Sequence, residues 1–268
     1  MKVAAIQMVS GSTVQDNLQT ARALLEEAAT AGAELAVLPE FFCLMGRKDT
    51  DKLAVREADG DGPVQSFLAD TARELGLWVV GGTLPLVASD AQHVRNACLV
   101  YSPAGQRVAR YDKVHLFGFD NGQERFDESR TIEAGHEPVA FDLMARDGQA
   151  WKVGLSVCYD LRFPEFYRAL GADLLLVPSA FTYTTGHAHW EVLLRARAIE
   201  NLAYVLAPAQ GGVHETGRRT WGHSMAVDPW GAVLSLRESG AGVVLAELDR
   251  AALRQRREQL PALSHRVL

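Results

Sequence analysis

Three residues far apart in the chain, Glu40, Lys113 and Cys158, carry side chains suited to covalent chemistry on a carbonyl. Cys158 closes the apolar run 152–157 and is followed at once by the turn Tyr159-Asp160-Leu161-Arg162-Phe163-Pro164. A strand–turn–helix of that kind lifts a nucleophile out of a sheet and points backbone N–H groups at whatever it attacks. The other reading of such a cysteine is a small apolar filler of the core. No histidine lies within twenty residues of Cys158 on either side, the nearest being His136 and His187, which leaves open what takes its proton. Glu40 follows Leu35-Ala36-Val37-Leu38-Pro39 and precedes Phe41 and Phe42, so an acid stands at the end of a buried run. Desolvation there raises a carboxyl toward the range useful for proton transfer. Lys113 ends a strand-like stretch, where a lysine ordinarily snorkels toward water. Beside a cysteine and a carboxylate, its charge would favour the thiolate and steady an oxyanion. Cys43 and Cys98 have no comparable setting and read as structural.

The elements that must position these groups alternate between strand and helix. Strands are expected over 3–8, 34–38 and 77–84, a hairpin over 97–102 and 108–113, and helices over 16–31 and 61–75. The polar stretch 115–137 is too long for a simple connector and is a candidate functional loop. The theme then restarts, with strands over 152–157, 173–177, 203–209, 221–227 and 243–248 and helices over 164–170 and 183–201. Such alternation implies an α/β protein with sheets covered by helices. One internal echo stands out: GAELAVLPEFF at 32–42 and GADLLLVPSAF at 171–181 each follow a strand and a helix. If these are copies of one β-α-β unit, Glu40 and Ser179 end equivalent strands, and Cys158 ends the equivalent of the N-terminal strand. Ligands of α/β sheets bind beyond the carboxyl ends of strands, which brings Glu40 and Cys158 toward one rim. Ser179, Ala180 and Phe181 would then line the pocket through backbone and hydroxyl groups.

Composition sets the outer bounds. The chain has 268 residues, of which 48% are apolar and 22% charged, an ordinary balance for a globular protein. A net charge of −6 gives no reason to expect nucleic acid as a partner, and the basic run at Arg254, Arg256 and Arg257 reads as a solvated helix face. Three widely spaced cysteines do not make a disulfide framework and suggest a reducing compartment. The N-terminus passes directly into a strand-like run, and no apolar run approaches the ~20 residues of a membrane helix. The expectation is a cytoplasmic protein, with residues 1–268 forming one domain and no membrane contact.

The motifs LPEFF (38–42), YDKVHLF (111–117) and GLSVCYDLRFPE (154–165), in that order, resemble the Glu, Lys and Cys signatures of the nitrilase, or carbon–nitrogen hydrolase, superfamily. The resemblance covers essentially the whole chain. The segments PSAFTYTTGHAHWEVLLRARAIEN (178–201) and WGHSMAVDPWG (221–231) resemble the branch of amidases that act on deaminated glutathione, with the related ω-amidases. The resemblance implies a four-layer α-β-β-α sandwich that pairs into a homodimer or higher homo-oligomer, with the helix around Trp190–Glu200, including Arg195 and Arg197, at the contact. It implies that Glu40 is the general base, that Cys158 forms a thioester, and that Lys113 and the Tyr159 N–H hold the oxyanion. It further implies a glutamate in the loop after the lysine, for which Glu128 fits best, with Glu124 and Glu133 as alternatives. Arg162 would meet a substrate carboxylate or make a structural ion pair, and His115 would support the site without reacting.

No cofactor and no metal are expected. His187 and His189 with Glu191 could suggest a metal, but the amidase branch carries similar text without one. The expected activity is hydrolysis of the carbon–nitrogen bond of a small carboxylate-bearing amide to acid and ammonia or amine. An N-carbamoyl amide hydrolase, an aliphatic amidase or a nitrilase are the related alternatives. A Cys–His hydrolase would leave the placement of Glu40 and Lys113 unexplained. A catalytically silent scaffold would be expected to have lost one of the three residues, and all three are present.

Overall fold

A computed structural model describes residues 1–267 of the chain. Its first half runs β1 (Lys2–Gln7), α1 (Val14–Thr30), β2 (Leu35–Val37), α2 (Asp51–Ala54), α3 (Pro63–Leu75), β3 (Trp78–Val80), β4 (Leu84–Val87), β5 (Val94–Tyr101) and β6 (Arg107–Asp112). A small hairpin, β7 (Gly118–Asp120) and β8 (Arg125–Asp127), fills the long loop. The second half runs β9 (Val139–Met144), β10 (Ala150–Leu155), α4 (Pro164–Leu170), β11 (Leu174–Leu176), α5 (Tyr183–Asn201), β12 (Tyr204–Ala207), β13 (Gly211–Val213), β14 (Arg219–Trp221), β15 (Ser224–Val227), β16 (Val233–Arg237), β17 (Gly242–Glu247) and α6 (Arg250–Gln259).

Period-two alternation assigns each strand residue to one of two cores. In β1, Val3 and Ala5 enter a core shared with β10, β11 and β12 of the other sheet, while Ala4 and Ile6 pack with Leu25 of α1 and Leu68 of α3 on the opposite side. On the far side of the second sheet, α4 and α5 bury Tyr167, Trp190 and Leu194. The result is the four-layer α-β-β-α arrangement. The helices start and stop by local chemistry: Pro63 opens α3, left-handed Gly76 closes it, and the Thr182 hydroxyl caps α5 by accepting from Thr185 N.

The two sheets repeat one plan. The first runs β17-β1-β2-β3-β5-β4, with β6 also on β5, and the second runs β16-β15-β12-β11-β10-β9. In each, three parallel strands (β1, β2, β3 or β10, β11, β12) lie between antiparallel neighbours. The registers coincide, since Val3 pairs with Leu35 as Val153 pairs with Leu174. Glu34 N donates to Lys2 O, and at the matching place Asp173 N donates to Lys152 O, both at 2.8 Å. The echo between 32–42 and 171–181 is therefore a repeated β-α-β unit in which Met8 matches Cys158 and Glu40 matches Ser179.

Three expectations need correction. The run 221–227 is the end of β14 followed by β15, in different sheets, because the chain turns at Gly222 and His223, both with positive φ. The run 77–84 is two strands, because the chain breaks direction at Gly81-Gly82. Gly82 has φ +48°, and a Cβ there would fall 2.0 Å from the Pro39 carbonyl oxygen, so a glycine lets this loop pass beneath the residue before Glu40. Arg197 does not face outward from α5: it is buried and donates twice to the Leu161 carbonyl, at 3.0 and 2.7 Å. Trp190 is likewise buried and donates to His223 O, so the exposed side of α5 is formed by residues such as Val192 and Ile199.

Candidate active site

Glu40 leaves the end of β2 into the space between the sheets, where only 1% of it is exposed. Its Oε1 accepts from Asn96 Nδ2 of β5 at 3.0 Å and from Lys113 Nζ at 2.9 Å, and its Oε2 accepts from Ala180 N at 3.0 Å. The backbone beside it is strained: Phe41 has φ +56°. Three bonds hold that turn, from Gln210 Nε2 to Glu40 O at 3.1 Å, from Phe41 N to Thr83 Oγ1 at 2.9 Å, and from Ser10 Oγ to Phe42 O at 2.9 Å.

Lys113 follows β6, and its backbone is pinned by bonds to Asn96 O at 3.1 Å and from Gly135 N at 2.8 Å. Its side chain is sealed from solvent, and Nζ donates to Glu40 Oε1 at 2.9 Å and to the Glu128 carboxylate, with Oε1 at 2.9 Å and Oε2 at 2.8 Å. Glu128 opens a short 3₁₀ turn after β8, and its Oε2 also accepts from Phe117 N at 2.7 Å. Burial works against the Lys113 charge, but Glu128 and then Glu40, with a smaller contribution from Cys158, outweigh it and hold the ammonium above its ordinary range.

Cys158 sits at φ +51°, a left-handed conformation rare for a residue with a side chain. Its N–H donates to Pro178 O at 3.0 Å, and a 3₁₀ turn, Cys158–Arg162, begins on it. The Tyr159 N–H stands in the first turn, where amides have no partner within the helix. Asp160, fully buried, ties this turn to the lysine loop: Oδ2 accepts from Val157 N and Tyr111 OH, both at 2.7 Å, and Oδ1 accepts from His115 N at 3.1 Å and meets His115 Nδ1 at 2.7 Å. The His115 ring stacks on Phe163 with centroids 3.7 Å apart. Burial, with the negative charge of Glu40, pushes the Cys158 thiol well above its usual range, and the opposing effect of Lys113 is smaller. Lys113 does favour the thiolate, as expected, but burial and Glu40 outweigh it.

An inner chamber is lined by Glu40, Glu128, Cys158, Tyr159, Arg162, Ala180 and Phe181, among others. The structure thus brings eight of the nine anticipated residues together, counting Lys113 through its bonds to Glu40 and Glu128. Ser179 is the exception: its hydroxyl turns back to Val177 O at 3.0 Å and it is wholly buried, because a strand-end residue that also bridges Ala209 faces the neighbouring strand. Arg162 makes no ion pair among the described residues; its guanidinium lies 5.7 Å from the Tyr159 ring, 5.6 Å from that of Phe181 and 3.3 Å from His189 Nδ1. Glu124 accepts from Thr184 Oγ1 and Glu133 pairs with Arg95, so neither approaches Lys113. His187 packs edge-on against Trp221, and no group of three His, Cys, Asp or Glu side chains suited to a metal occurs among the described residues. Asn96 and Asp160 were not anticipated. A polar residue inside the apolar strand VRNACLVY, and an acid two residues past the cysteine, were the available signals.

The carbon–nitrogen hydrolase family model matches residues 2–258. The deaminated glutathione amidase of Synechocystis is 43% identical over 270 residues, covering 98% of this chain and 97% of that protein. Among solved structures, the NitFhit protein of C. elegans superposes with a TM-score of 0.88 at 38% identity, over 99% of this chain. This chain spans 65% of that longer protein. An amidase from Nesterenkonia, with acrylamide added at its active-site cysteine, superposes with a TM-score of 0.79 at 27% identity, covering 97% of this chain and 98% of that one.

Proposed function

The chain belongs to the carbon–nitrogen hydrolase family and is an amide-hydrolysing enzyme; from that premise we propose that it cleaves a carboxylate-bearing amide of the deaminated glutathione type through a thioester on Cys158. The observation that carries this reading is the cluster of buried Glu40 and Lys113 with half-buried Glu128, which shares one chamber with Cys158.

Because the thiol is held protonated, its proton passes to Glu40 as the sulfur–carbon bond forms, with no standing thiolate beforehand. The carbonyl electrons move onto oxygen, where the Lys113 ammonium and the Tyr159 N–H stabilise the charge. Collapse of this adduct breaks the carbon–nitrogen bond while Glu40 returns the proton to the departing nitrogen. Water then attacks the thioester with Glu40 again taking a proton, and the thiol regains one as the acid leaves. Glu128 keeps Lys113 in place and offers an oxygen to the substrate or the hydrolytic water. Residues 1–268 act as one catalytic domain in the cytoplasm, and the exposed side of α5, with Val192 and Ile199, supports pairing into a homodimer or higher homo-oligomer.

The test is a product screen with deaminated glutathione, α-ketoglutaramate, simple aliphatic amides and N-carbamoyl amino acids, with intact-mass detection of the acyl-enzyme. The two ω-amides should be the preferred substrates, and Cys158→Ala should abolish both turnover and adduct. Undiminished turnover by Cys158→Ala would sink the thioester route, and exclusive turnover of N-carbamoyl compounds would sink the substrate class.

A further inference from the structure

A second, larger recess adjoins the inner one. Both are lined by Phe41, Phe117, Glu128 and Arg218, so these residues form the passage between them. Glu128 is fully engaged by Lys113 and Phe117 N. Arg218 is not. It makes no ion pair among the described residues, and its Nε is buried without a hydrogen-bond partner. Its guanidinium lies 5.6 Å from the Phe126 ring, which limits how the plane can turn. An orphaned donor on a half-buried guanidinium is unfavourable unless a ligand satisfies it.

The remaining charges of the outer chamber have partners or opposite charges of their own. Lys52 donates to Thr131 Oγ1 at 3.1 Å and lies 5.7 Å from the Phe41 ring. Asp127 accepts from Ser129 Oγ at 2.6 Å, while Asp49 and Lys48 stand exposed together at the rim. Lys52 also feels the negative charges of Glu128 and Asp49, so the group left with an unsatisfied donor is Arg218. The acyl part of the substrate must remain over Cys158 in the inner chamber, where Arg162 is also without a carboxylate. The amine part has to depart, and the larger adjoining recess gives it room.

We propose that Arg218, assisted by Lys52, binds a carboxylate on the amine portion of the substrate. The preferred substrate is then an N-substituted amide anionic at both ends, with Arg162 and Arg218 receiving one end each. A planar guanidinium suits this task because it meets a carboxylate through two parallel N–H bonds. The assignment rests on the amidase reading above and refines it to a specificity residue outside the reacting groups.

The test compares deaminated glutathione with the same molecule capped at its glycine carboxylate as the N-methylamide, using wild type, Arg218→Met and Arg218→Lys. Wild type should favour the uncapped substrate by about 10- to 100-fold in kcat/KM, chiefly through KM. Arg218→Met should bring that ratio close to one, Arg218→Lys should restore part of it, and near-identical melting temperatures would show that the fold is retained. A ratio that survives in Arg218→Met, or a loss shared equally by both substrates, overturns the proposal. Calorimetric binding of both molecules to Cys158→Ala separates this inference from the amidase reading. If wild type hydrolyses neither molecule, the amidase reading fails, while an Arg218-dependent preference for the uncapped ligand still upholds the anion station. Equal binding of both ligands rejects it.

Discussion

Lys113 Nζ lies 2.9 Å from Glu40 Oε1 with both side chains shut away from solvent, and the same ammonium is held from the other side by Glu128. One cation thus serves two carboxylates, and its removal should be felt in both stability and rate.

Lys113→Met leaves the buried Glu40 and the half-buried Glu128 without a counter-ion. Breaking a buried pair in this way costs about 3–5 kcal/mol, and loss of an oxyanion donor costs about 10²- to 10³-fold in kcat. Denaturant titration and steady-state kinetics on the same preparation read both effects. The pH dependence has a definite sign. The folded lysine has a raised pKa, so its contribution is complete below the unfolded value of about 10.4 and declines as pH rises through the folded one. The stability difference between wild type and variant should be flat from about pH 7 to 9 and shrink only above about pH 10.5.

The Cys158 thiol should stay protonated in the resting enzyme. Its folded pKa is raised by burial and Glu40, so the stability linked to it is complete below the unfolded value of about 8.5 and falls at higher pH. The thiolate ultraviolet absorbance of wild type minus Cys158→Ala should be absent through about pH 9. A thiolate signal at neutral pH would contradict the coupled proton transfer to Glu40.

Asp160→Asn should loosen the nucleophile turn from the lysine loop. The carboxylate serves four groups on three segments, and an amide can reproduce only part of that set. The expected result is a loss of about 1–3 kcal/mol in stability and a fall in kcat larger than the change in KM. A change in stability with kcat intact would make Asp160 a purely structural anchor.

Gly82→Ala should harm catalysis from outside the chamber. The added methyl would fall on the Pro39 carbonyl, and φ +48° is itself unfavourable for alanine. A loss well above 1 kcal/mol is expected, together with reduced kcat. Gly148→Ala, with φ +80° and open space around it, is the matched control and should show the conformational penalty alone, about 1 kcal/mol. Similar melting curves for the two variants would show that the Pro39 contact is relaxed easily.

Much of the chemistry was legible because it lies in contiguous runs. Pro39-Glu40, Lys113 and Cys158 each end a strand, and strand ends are marked by a change from apolar to polar text. The repeated β-α-β unit was equally visible, since identical registers require similar sequences. What stayed hidden is what depends on neighbours across the fold. Ser179 was expected in the pocket by analogy with Glu40, yet its hydroxyl is short enough to bond its own strand. Arg197 looked like a surface charge on a helix whose arginines lie two apart, and only packing against the Cys158 turn shows which of them points inward. The vacant donor of Arg218 has no trace in composition or periodicity.

The repeated plan of the sheets has a practical corollary. Glu40 and Lys113 belong to the first copy, Glu128 and Cys158 to the part of the chain beyond the exposed β7–β8 hairpin tip. A backbone cut at Gly122 would leave two fragments, each with an incomplete set of reacting groups, yet β17 from the second is the edge partner of β1 in the first. Amide turnover by such a pair would therefore act as a complementation signal, reporting the docking of one sheet on the other with the sensitivity of a catalytic assay.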